Sequence, residues 1–461
     1  MQGKFQGKHE TWSSGFTFIL ATIGAAIGLA NIWRFPYVVG TSGGSTFVLA
    51  YIVVSLLFIM PIIIAELVIG RYSGKSMIGS MRKTAIDHDA SPRWSLVGYL
   101  GILAMTLIQF FYFVIAGWVL YYFVLSVSVG FDDVNARSSS AMFDALKQNP
   151  YALVMCQATL IVITGFIIAK GVRKGVEKSV SWLMPVLFIS LILFVFYGVY
   201  LGTTKEALRF LFSFDYKKLN FEVIQLAIGQ AFFSIGAGIG FIMTYGAYLK
   251  KDVSIPKSAL IIITADVGTA LLAGLAVYSV VFAFQLPVDA GPGLIFVALP
   301  VAFGQMQFGV VFGVIFFGAL LAAVIPTLIS GYEQVVCWLI ELNIGNRAKM
   351  SVLYGLFIWL GGLPAVLSFN YWSGIYIFDF IPILKGKNVF ELYEIVAVVF
   401  LIPICGIAIA IFSGWLIPDK SCRQELGTMN NAYYALWKFL LKFVAPLCLL
   451  LIFFTNIIQM L

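Results

Sequence analysis

The stretch GAAIGLANIWRFP, residues 24–36, decides how this chain folds, because it interrupts an apolar run long enough to span a membrane. Its small residues, together with Asn31, Arg34 and Pro36, disfavour an unbroken apolar helix. An unpaired backbone amide in hydrocarbon is costly, so irregular backbone persists there only where it is buried in protein or lines a polar cavity. The stretch therefore predicts a membrane helix whose break has a functional role.

The composition indicates an integral membrane protein. The chain has 461 residues, of which 61% are hydrophobic and only 11% are charged, which is typical of a polytopic helical bundle. No polar linker longer than about twenty residues divides it, so we expect one domain over residues 1–461. The net charge of +8 lies largely in short loops, which the positive-inside rule explains better than nucleic-acid binding does.

Eleven apolar runs are long enough to cross a bilayer. They lie near residues 14–38, 45–72, 96–128, 151–170, 177–202, 222–249, 256–285, 307–342, 350–370, 392–416 and 434–459. The clearest basic loops, such as KGVRKGVEKS and YLKKDVSIPK, each follow an even-numbered run. The pattern predicts a cytoplasmic amino terminus and, with an odd number of spans, an external carboxyl terminus.

The sixth run, IGQAFFSIGAGIGFIMTYGAYL, repeats the anomaly of the first with Gly236, Gly238 and Gly240 at mid-membrane depth. Two broken helices five spans apart are typical of inverted-repeat transporters. Glycines that only allow close helix packing are the alternative, but packing does not account for Asn31 and Arg34. We therefore predict an all-α polytopic membrane protein with unwound first and sixth spans. Its parts are two inverted five-helix repeats, 14–202 and 222–416, and an eleventh helix, 434–459.

Six motifs also carry a family resemblance. They are GAAIGLANIWRFP, GTSGGSTFVLAY, ELVIGRY, FYFVIAGW, GQAFFSIGAGIG and AGPGLIFVALP. In this order, from Trp12 to about residue 416, the chain resembles the neurotransmitter:sodium symporters, in particular their bacterial amino-acid branch and its eleven-span members. The resemblance implies sodium-coupled alternating access, with an amino acid, sodium and the lipid bilayer of the bacterial inner membrane as partners.

The resemblance implies a first sodium site at the two breaks. The positions that match the family's ligands are Ala26, Asn31, Ser234 and Asp266. Asp266 lies in the otherwise uncharged run IIITADVGTALLAG, and a lone carboxylate at such depth is by default functional, with a cation as its partner.

Chloride is not expected as a cofactor. The positions that match the family's chloride site are Tyr51, Gln230, Ser234 and Ala270. Many relatives carry asparagine where this chain has Asp266, and they use chloride to balance charge. Here the aspartate supplies that charge itself and Ala270 offers no donor.

A second sodium site is implied between spans one and eight. Gly24, Ile27 and Ala323 match its carbonyl ligands, and Thr327 matches one of two hydroxyl ligands. The other hydroxyl position is Pro326, which has no side-chain oxygen and no amide. One reading is a weakened or absent site, and the other is a helix kink that leaves the carbonyls usable, so one or two sodium ions are expected.

Gates and a substrate pocket also follow from the resemblance. Arg34 with Glu394 matches the outer gate, and Glu66 matches an acid that holds amides of the broken sixth span. The inner gate matches Trp12, His9, Tyr248 and Glu341. The substrate positions are Ala26, Gly28, Ala30, Ile108, Tyr112, Phe233, Ser234, Gly236, Ile239, Thr327 and Gly331.

The substrate class follows from what these positions lack. Amine transporters of the family carry aspartate where this chain has Gly28, so the substrate must bring its own carboxylate to the sodium ion. No charged side chain is available for an acidic or basic substrate, and burying an unpaired charge is costly. Gly236 and Gly331 are expected to leave room for a bulky aromatic or branched neutral side chain.

Other functions remain as alternatives. A symporter for small neutral amino acids and a non-transporting sensor or regulatory member are both compatible with the motifs, the latter because of His9 and Pro326. The chain contains no repeated filter sequence of the kind that would indicate a channel. The scattered cysteines and two loop histidines predict neither an enzyme nor a metal centre. The sequence indicates no oligomeric state.

Overall fold

The computed structural model describes residues 10–286 and 293–460, and these are helical without any β-strand. The first half contains α1 (Gly15–Ala26), α2 (Ala30–Thr41), α3 (Ser45–Ser73), α4 (Met77–Asp87), α5 (Pro92–Ser128), α6 (Ala136–Gln148), α7 (Pro150–Ala169), α8 (Val172–Tyr200) and α9 (Thr204–Phe212). The second half contains α10 (Phe221–Ile235), α11 (Phe241–Ala247), α12 (Ile255–Ala283), α13 (Leu294–Gln305), α14 (Gly309–Glu341), α15 (Arg347–Leu367), α16 (Val389–Leu416), α17 (Asp419–Leu426) and α18 (Asn431–Met460).

The helices account for the predicted spans. Among the described residues, nine helices are long and apolar enough to cross a membrane, and α1 and α2 form a tenth span bent by 54°. The pieces of the sixth run, α10 and α11, have 15 and 7 residues, so only the two together can serve as the remaining span. The predicted all-α polytopic fold with broken first and sixth spans is confirmed, whereas the repeat boundaries stay a prediction.

Boundaries differ most at the fifth span. The expected start was residue 177, but α8 begins at Val172 and takes in much of the basic stretch KGVRKGVEKS. Basic side chains are compatible with a helix end because their long stems allow the charged heads to reach water. The short connecting helices α4, α6, α9, α13 and α17 were not predicted. Most of the loop LPVDAGPG lies outside the described residues.

Two glycines of the bundle allow close packing of α3 against α11. A Cβ on Gly70 of α3 would lie 2.0 Å from the carbonyl oxygen of Met243 in α11, and one on Gly246 would lie 3.1 Å from the Cα of Leu67. Here glycine allows two helix backbones to touch, as the packing interpretation requires. This contact holds the second half of the broken sixth span firmly against α3.

Candidate functional site

The first span breaks between α1 and α2. Ile27 ends α1 in an extended conformation, with φ −77° and ψ 107°. The amide of Gly28 then donates to Asn31 Oδ1 at 3.3 Å, and the amide of Leu29 donates to the hydroxyl of Tyr112 at 3.3 Å. Side chains therefore replace the missing helical acceptors, which is the condition for unwound backbone at membrane depth.

The sixth span breaks at three glycines. Gly236, Gly238 and Gly240 have φ of +64°, +85° and +98°, a region that side chains with a Cβ rarely adopt. The fully buried carboxylate of Glu66 accepts hydrogen bonds from the amides of Gly238 and, at 3.3 Å, Met243. These glycines are thus needed for backbone conformation, and α3 supplies the acceptor that the broken helix lacks.

A carboxylate lies where the two breaks meet. Asp266 of α12 is fully buried and accepts from Asn31 Nδ2 at 2.8 Å, from Ser234 Oγ at 3.0 Å and from the Tyr51 hydroxyl at 2.9 Å. No Lys, Arg or His in the described ranges forms a salt bridge with it. Ala26, the fourth predicted sodium ligand, lines the adjoining cavity together with Ser234. The carboxylate and hydroxyl oxygens fit a hard cation such as sodium, and the Asn31 oxygen, which accepts from the Gly28 amide, would join them if the side-chain amide turned over.

Two of the four positions expected to line a chloride site contact this carboxylate, whereas Gln230 bonds to Arg34 and to the carbonyl of Ala30. The hydroxyls of Tyr51 and Ser234 both donate to Asp266, so its oxygens take the donors that a chloride ion would use. Ala270 is a fully buried apolar residue. The geometry is consistent with an aspartate that supplies the balancing negative charge.

The predicted ligands of a second ion also come together. The hydroxyl of Thr327 lies 3.4 Å from the carbonyl oxygen of Ile27 and 3.3 Å from that of Ala323. Pro326 lies within α14, which continues on both sides of it. The Cβ of Pro326 is 3.1 Å from the place where a Cβ on Gly24 would be, so the proline ring packs against the fourth predicted ligand rather than presenting an oxygen.

A cavity of about 80 Å³ lies beside the two breaks. It is lined by hydrophobic side chains and a few hydroxyl and amide groups, and none of the described residues that border it is charged. All predicted substrate residues except Gly331 line it, namely Ala26, Gly28, Ala30, Ile108, Tyr112, Phe233, Ser234, Gly236, Ile239 and Thr327.

The space at Gly331 is not open, and in this respect the sequence interpretation was wrong. A Cβ there would lie 2.4 Å from Gln109 Nε2 and 2.5 Å from Met105 Sδ. Met105 and Gln109 line the cavity in its place. They share a face of α5 with Ile108 and Tyr112, because residues three and four apart are neighbours on a helix, and this spacing could have identified them.

A larger cavity, of about 490 Å³, begins on the other side of Phe233 and is bordered by both Arg34 and Glu394. The expected direct ion pair between these two is not formed within 4.0 Å. Instead, Arg34 Nη1 donates to Gln230 Oε1 at 2.8 Å, and its guanidinium lies 5.0 Å from the centre of the Phe233 ring. Gln230 is therefore the direct partner of Arg34, and no ion pair with Glu394 crosses this cavity.

The opposite end of the bundle is closed around Trp12. Its backbone amide donates to the carbonyl of Tyr248 at 3.1 Å, and its indole Nε1 donates to the carbonyl of Tyr245 at 2.9 Å. The side chain of Trp12 is buried. His9, the basic residue expected beside it, lies outside the described residues.

The acid that contacts Tyr248 is Glu333, whereas Glu341, the acid expected at the inner gate, has a different partner. The Tyr248 hydroxyl donates to Glu333 at 2.7 Å, and Arg347 Nη1 donates to the same carboxylate at 2.5 Å. Glu341 lies about 12 Å further along α14 and accepts from the amide and hydroxyl of Ser76. Glu333 was missed, although a lone acid in an apolar span is itself a functional signal.

Two broken helices, a buried oxygen cluster and an adjoining uncharged cavity are typical of an ion-coupled membrane transporter. Comparison with known proteins agrees. The family model described as "Sodium:neurotransmitter symporter family" matches residues 9–132 and 132–461. The chain belongs to this family of sodium-dependent transporters and is not an enzyme.

Individual relatives resemble the chain along nearly its whole length. It is 34% identical to the uncharacterized sodium-dependent transporter YhdH of Bacillus subtilis, over 98% of each chain. It is 32% identical to an uncharacterized sodium-dependent transporter of Haemophilus influenzae, again over 98% of each. The crystal structure of MhsT in complex with L-phenylalanine superposes with a TM-score of 0.87 at 35% identity, covering 97% of this chain and 99% of that one.

Removal of the Asp266 carboxylate tests the first sodium site. In Asp266→Ala we expect sodium to lose its stabilising effect on the purified protein, because the only carboxylate in the predicted first sodium site is gone. Ligand binding to the folded state raises its stability in proportion to RT ln(1 + [L]/Kd). The measurement is the melting temperature in sodium against potassium at constant ionic strength.

Two further variants make that experiment decisive. Tyr51→Phe removes one donor but leaves the carboxylate, so its sodium response should persist. Asp266→Asn preserves the size of the side chain but removes its charge, so in chloride-free buffer it should lose the response even if the alanine variant folds poorly. A sodium response of wild-type size in both Asp266 variants would contradict the assignment.

Proposed function

We propose that this protein is a sodium-coupled symporter that imports neutral hydrophobic amino acids with bulky aromatic or branched side chains. The observation that carries the proposal is the position of the buried Asp266 cluster, which shares Ser234 with an uncharged cavity. An ion held there would lie beside the cavity and could meet the carboxylate of an amino acid. Transport of the amino acid would then require sodium, which explains the coupling.

The edge of the cavity offers hydrogen-bond donors for the carboxylate of an amino acid. The Leu29 amide and the Tyr112 hydroxyl are hydrogen-bonded to each other at the edge of the cavity, and both can turn towards a substrate carboxylate. At Gly28, an added Cβ would lie 2.9 Å from the Tyr112 oxygen and 3.0 Å from Thr327 Oγ1. Glycine at this position keeps the approach to the break free, and no acid is present to hold an amine in its place.

The state of the two gates supports alternating access. The closed end carries Trp12 and Tyr248, whereas the open end leads into the cavity between Arg34 and Glu394. Import would require the open end to face the outside. The basic loops after even-numbered spans favour a cytoplasmic position for the Trp12 end and an external carboxyl terminus.

A second candidate, transport of small neutral amino acids, is favoured by the volume of the central cavity. At about 80 Å³ it is smaller than the roughly 150 Å³ cavity that accommodates benzene in an engineered protein. Bulky substrates gain support from MhsT, whose crystal structure contains L-phenylalanine. They also gain support from Met105, because a flexible methionine can repack around a larger ligand.

Uptake into proteoliposomes tests the proposed function. An inward sodium gradient should drive accumulation of labelled phenylalanine or leucine, and a potassium gradient should not. Exchange of chloride for gluconate should leave the rate unchanged, because Asp266 supplies the negative charge. Substrate binding without any uptake would identify a non-transporting member, and a steep loss without chloride would refute the proposed role of Asp266.

Gly331→Ala tests the preference for large side chains. The added Cβ would push Met105 and Gln109 into the cavity, and overpacking costs roughly 1–3 kcal/mol, which is on the order of ten- to a hundredfold in affinity. Phenylalanine, tryptophan and leucine should lose that much, while alanine and glycine lose little. Competition by a panel of unlabelled amino acids against one labelled substrate measures the effect.

Gly229→Ala is the matched control, because a Cβ on this helical glycine of α10 would have no neighbour within 4 Å. Its substrate profile should match that of the wild type. If the wild type prefers glycine or alanine, or if Gly331→Ala weakens all substrates equally, the small-substrate candidate replaces the one proposed.

The effect of Pro326 on the second sodium site can be tested through the sodium dependence of uptake. If the proline weakens the second site, uptake should depend on sodium with a coefficient near one. Pro326→Thr, which restores a hydroxyl and an amide, should then steepen the dependence. The measurement is initial uptake rate against sodium concentration at constant ionic strength. A wild-type coefficient near two would show that the carbonyls and Thr327 suffice for a second ion.

A further inference from the structure

An apolar groove runs along the outer surface of the bundle between α7 and α15. Its volume is about 490 Å³, and we call it the α7–α15 groove. It is bounded by Ala158, Gly165 and Ala169 of α7 and by Ala348, Gly355 and Trp359 of α15. It lies apart from the central cavity, and the transport mechanism proposed above makes no use of it.

Small residues and an aromatic floor create the groove. Tyr332 of α14 lies beneath it, and a Cβ would lie 3.1 Å from its hydroxyl if added to Gly165 and 2.5 Å if added to Gly355. This hydroxyl donates to the carbonyl of Ser351, and Ser351 Oγ donates to the carbonyl of Gly165 at 2.7 Å. The polar atoms of the floor therefore bond to one another and leave an apolar surface for a ligand.

The groove opens towards the lipid. Its rims carry large apolar side chains, of which Val162 is 69% and Val352 is 71% exposed. On both helices it extends over eleven residue-to-residue steps, from Ala158 to Ala169 and from Ala348 to Trp359, which is about 16 Å along a helix. One leaflet contributes about half of a hydrocarbon core roughly 30 Å thick, so the groove matches the depth of one leaflet.

One end of the groove is basic. Lys170 follows Ala169 directly, Lys349 follows Ala348 directly, and both lysines are exposed. The Nζ of Lys170 lies 3.9 Å from the centre of the Phe166 ring, which lines the groove. Within the described parts of the chain, neither lysine forms a salt bridge.

The acids nearest to this end have other partners. Glu333 pairs with Arg347, and Glu10 accepts from the amide of Val172 at 2.7 Å and lies 3.5 Å from Arg347. The positive charge of Lys170 and Lys349 is therefore available to a ligand at the end of the groove where the two helices meet the membrane surface.

We propose that the α7–α15 groove binds an anionic phospholipid, with an acyl chain in the groove and the phosphate between Lys170 and Lys349. Basic pockets between membrane helices bind anionic headgroups in this manner. A second copy of the chain is disfavoured as the occupant, since a two-fold interface places the same patch on both sides. The lysines of the two copies would then face each other.

Native mass spectrometry of the purified protein tests the proposal. The probes are phosphatidylglycerol and phosphatidylcholine with identical acyl chains. The wild type should retain phosphatidylglycerol in preference. The double variant Lys170→Gln/Lys349→Gln should bind it about twenty-five-fold more weakly, because each lysine near an anionic headgroup contributes roughly a factor of five. Ala158→Phe, which fills the groove, should weaken both lipids.

Matched controls separate the groove from the rest of the surface. Lys257→Gln removes an exposed lysine at the start of α12, and Ile189→Phe changes an exposed position on α8; neither should alter lipid binding. Equal binding of the two lipids by the wild type would overturn the proposal. So would undiminished phosphatidylglycerol binding by the double variant, or a dimer that Ala158→Phe disrupts.

Discussion

The buried carboxylate of Asp266 is the group on which the rest of the site depends. It is fully buried, and a bare charge at that depth is stable only with a cation or several donors. Its donors come from three other spans, because Asn31 lies on α2, Tyr51 on α3 and Ser234 on α10. One side chain thereby links both broken helices to two unbroken ones, and a cation at this point would reinforce the same links.

The two breaks must meet the requirement that every backbone N–H and C=O group in a membrane has a hydrogen-bond partner. Each break is stabilised by a side chain of an unbroken neighbour. Tyr112 of α5 accepts from the first break, and Glu66 of α3 accepts from the sixth. The glycines of the sixth break adopt positive φ, whereas Gly70 and Gly246 allow α3 and α11 to touch. Conformational freedom and close packing therefore both occur, at different glycines.

The two ends of the bundle use charge differently. At the closed end, Glu333 is shared by Tyr248 and Arg347. If Tyr248 moved away on opening, Arg347 would still neutralise the acid, so no unpaired charge would be buried. At the open end, Arg34 is held by Gln230, an uncharged partner that it can exchange for Glu394. The arrangement at the closed end would let Tyr248 move without leaving a bare charge in a low-dielectric environment.

The sequence by itself determined the spans, the two broken helices and, through the family resemblance, half of the residues that line the central cavity. These follow from hydropathy, from glycine and proline inside apolar runs, and from motif order, all of which are local properties of the chain. Only the tertiary structure decided which partners meet. Because Gly331 has no side chain, the sequence suggested open space beside it. Met105 and Gln109, which come from another helix, fill that space. Glu341 matched a family position, yet Glu333, two turns earlier, reaches Tyr248. Side-chain contacts between distant segments depend on how helices rotate and pack, and this information is absent from the spacing of residues along one helix.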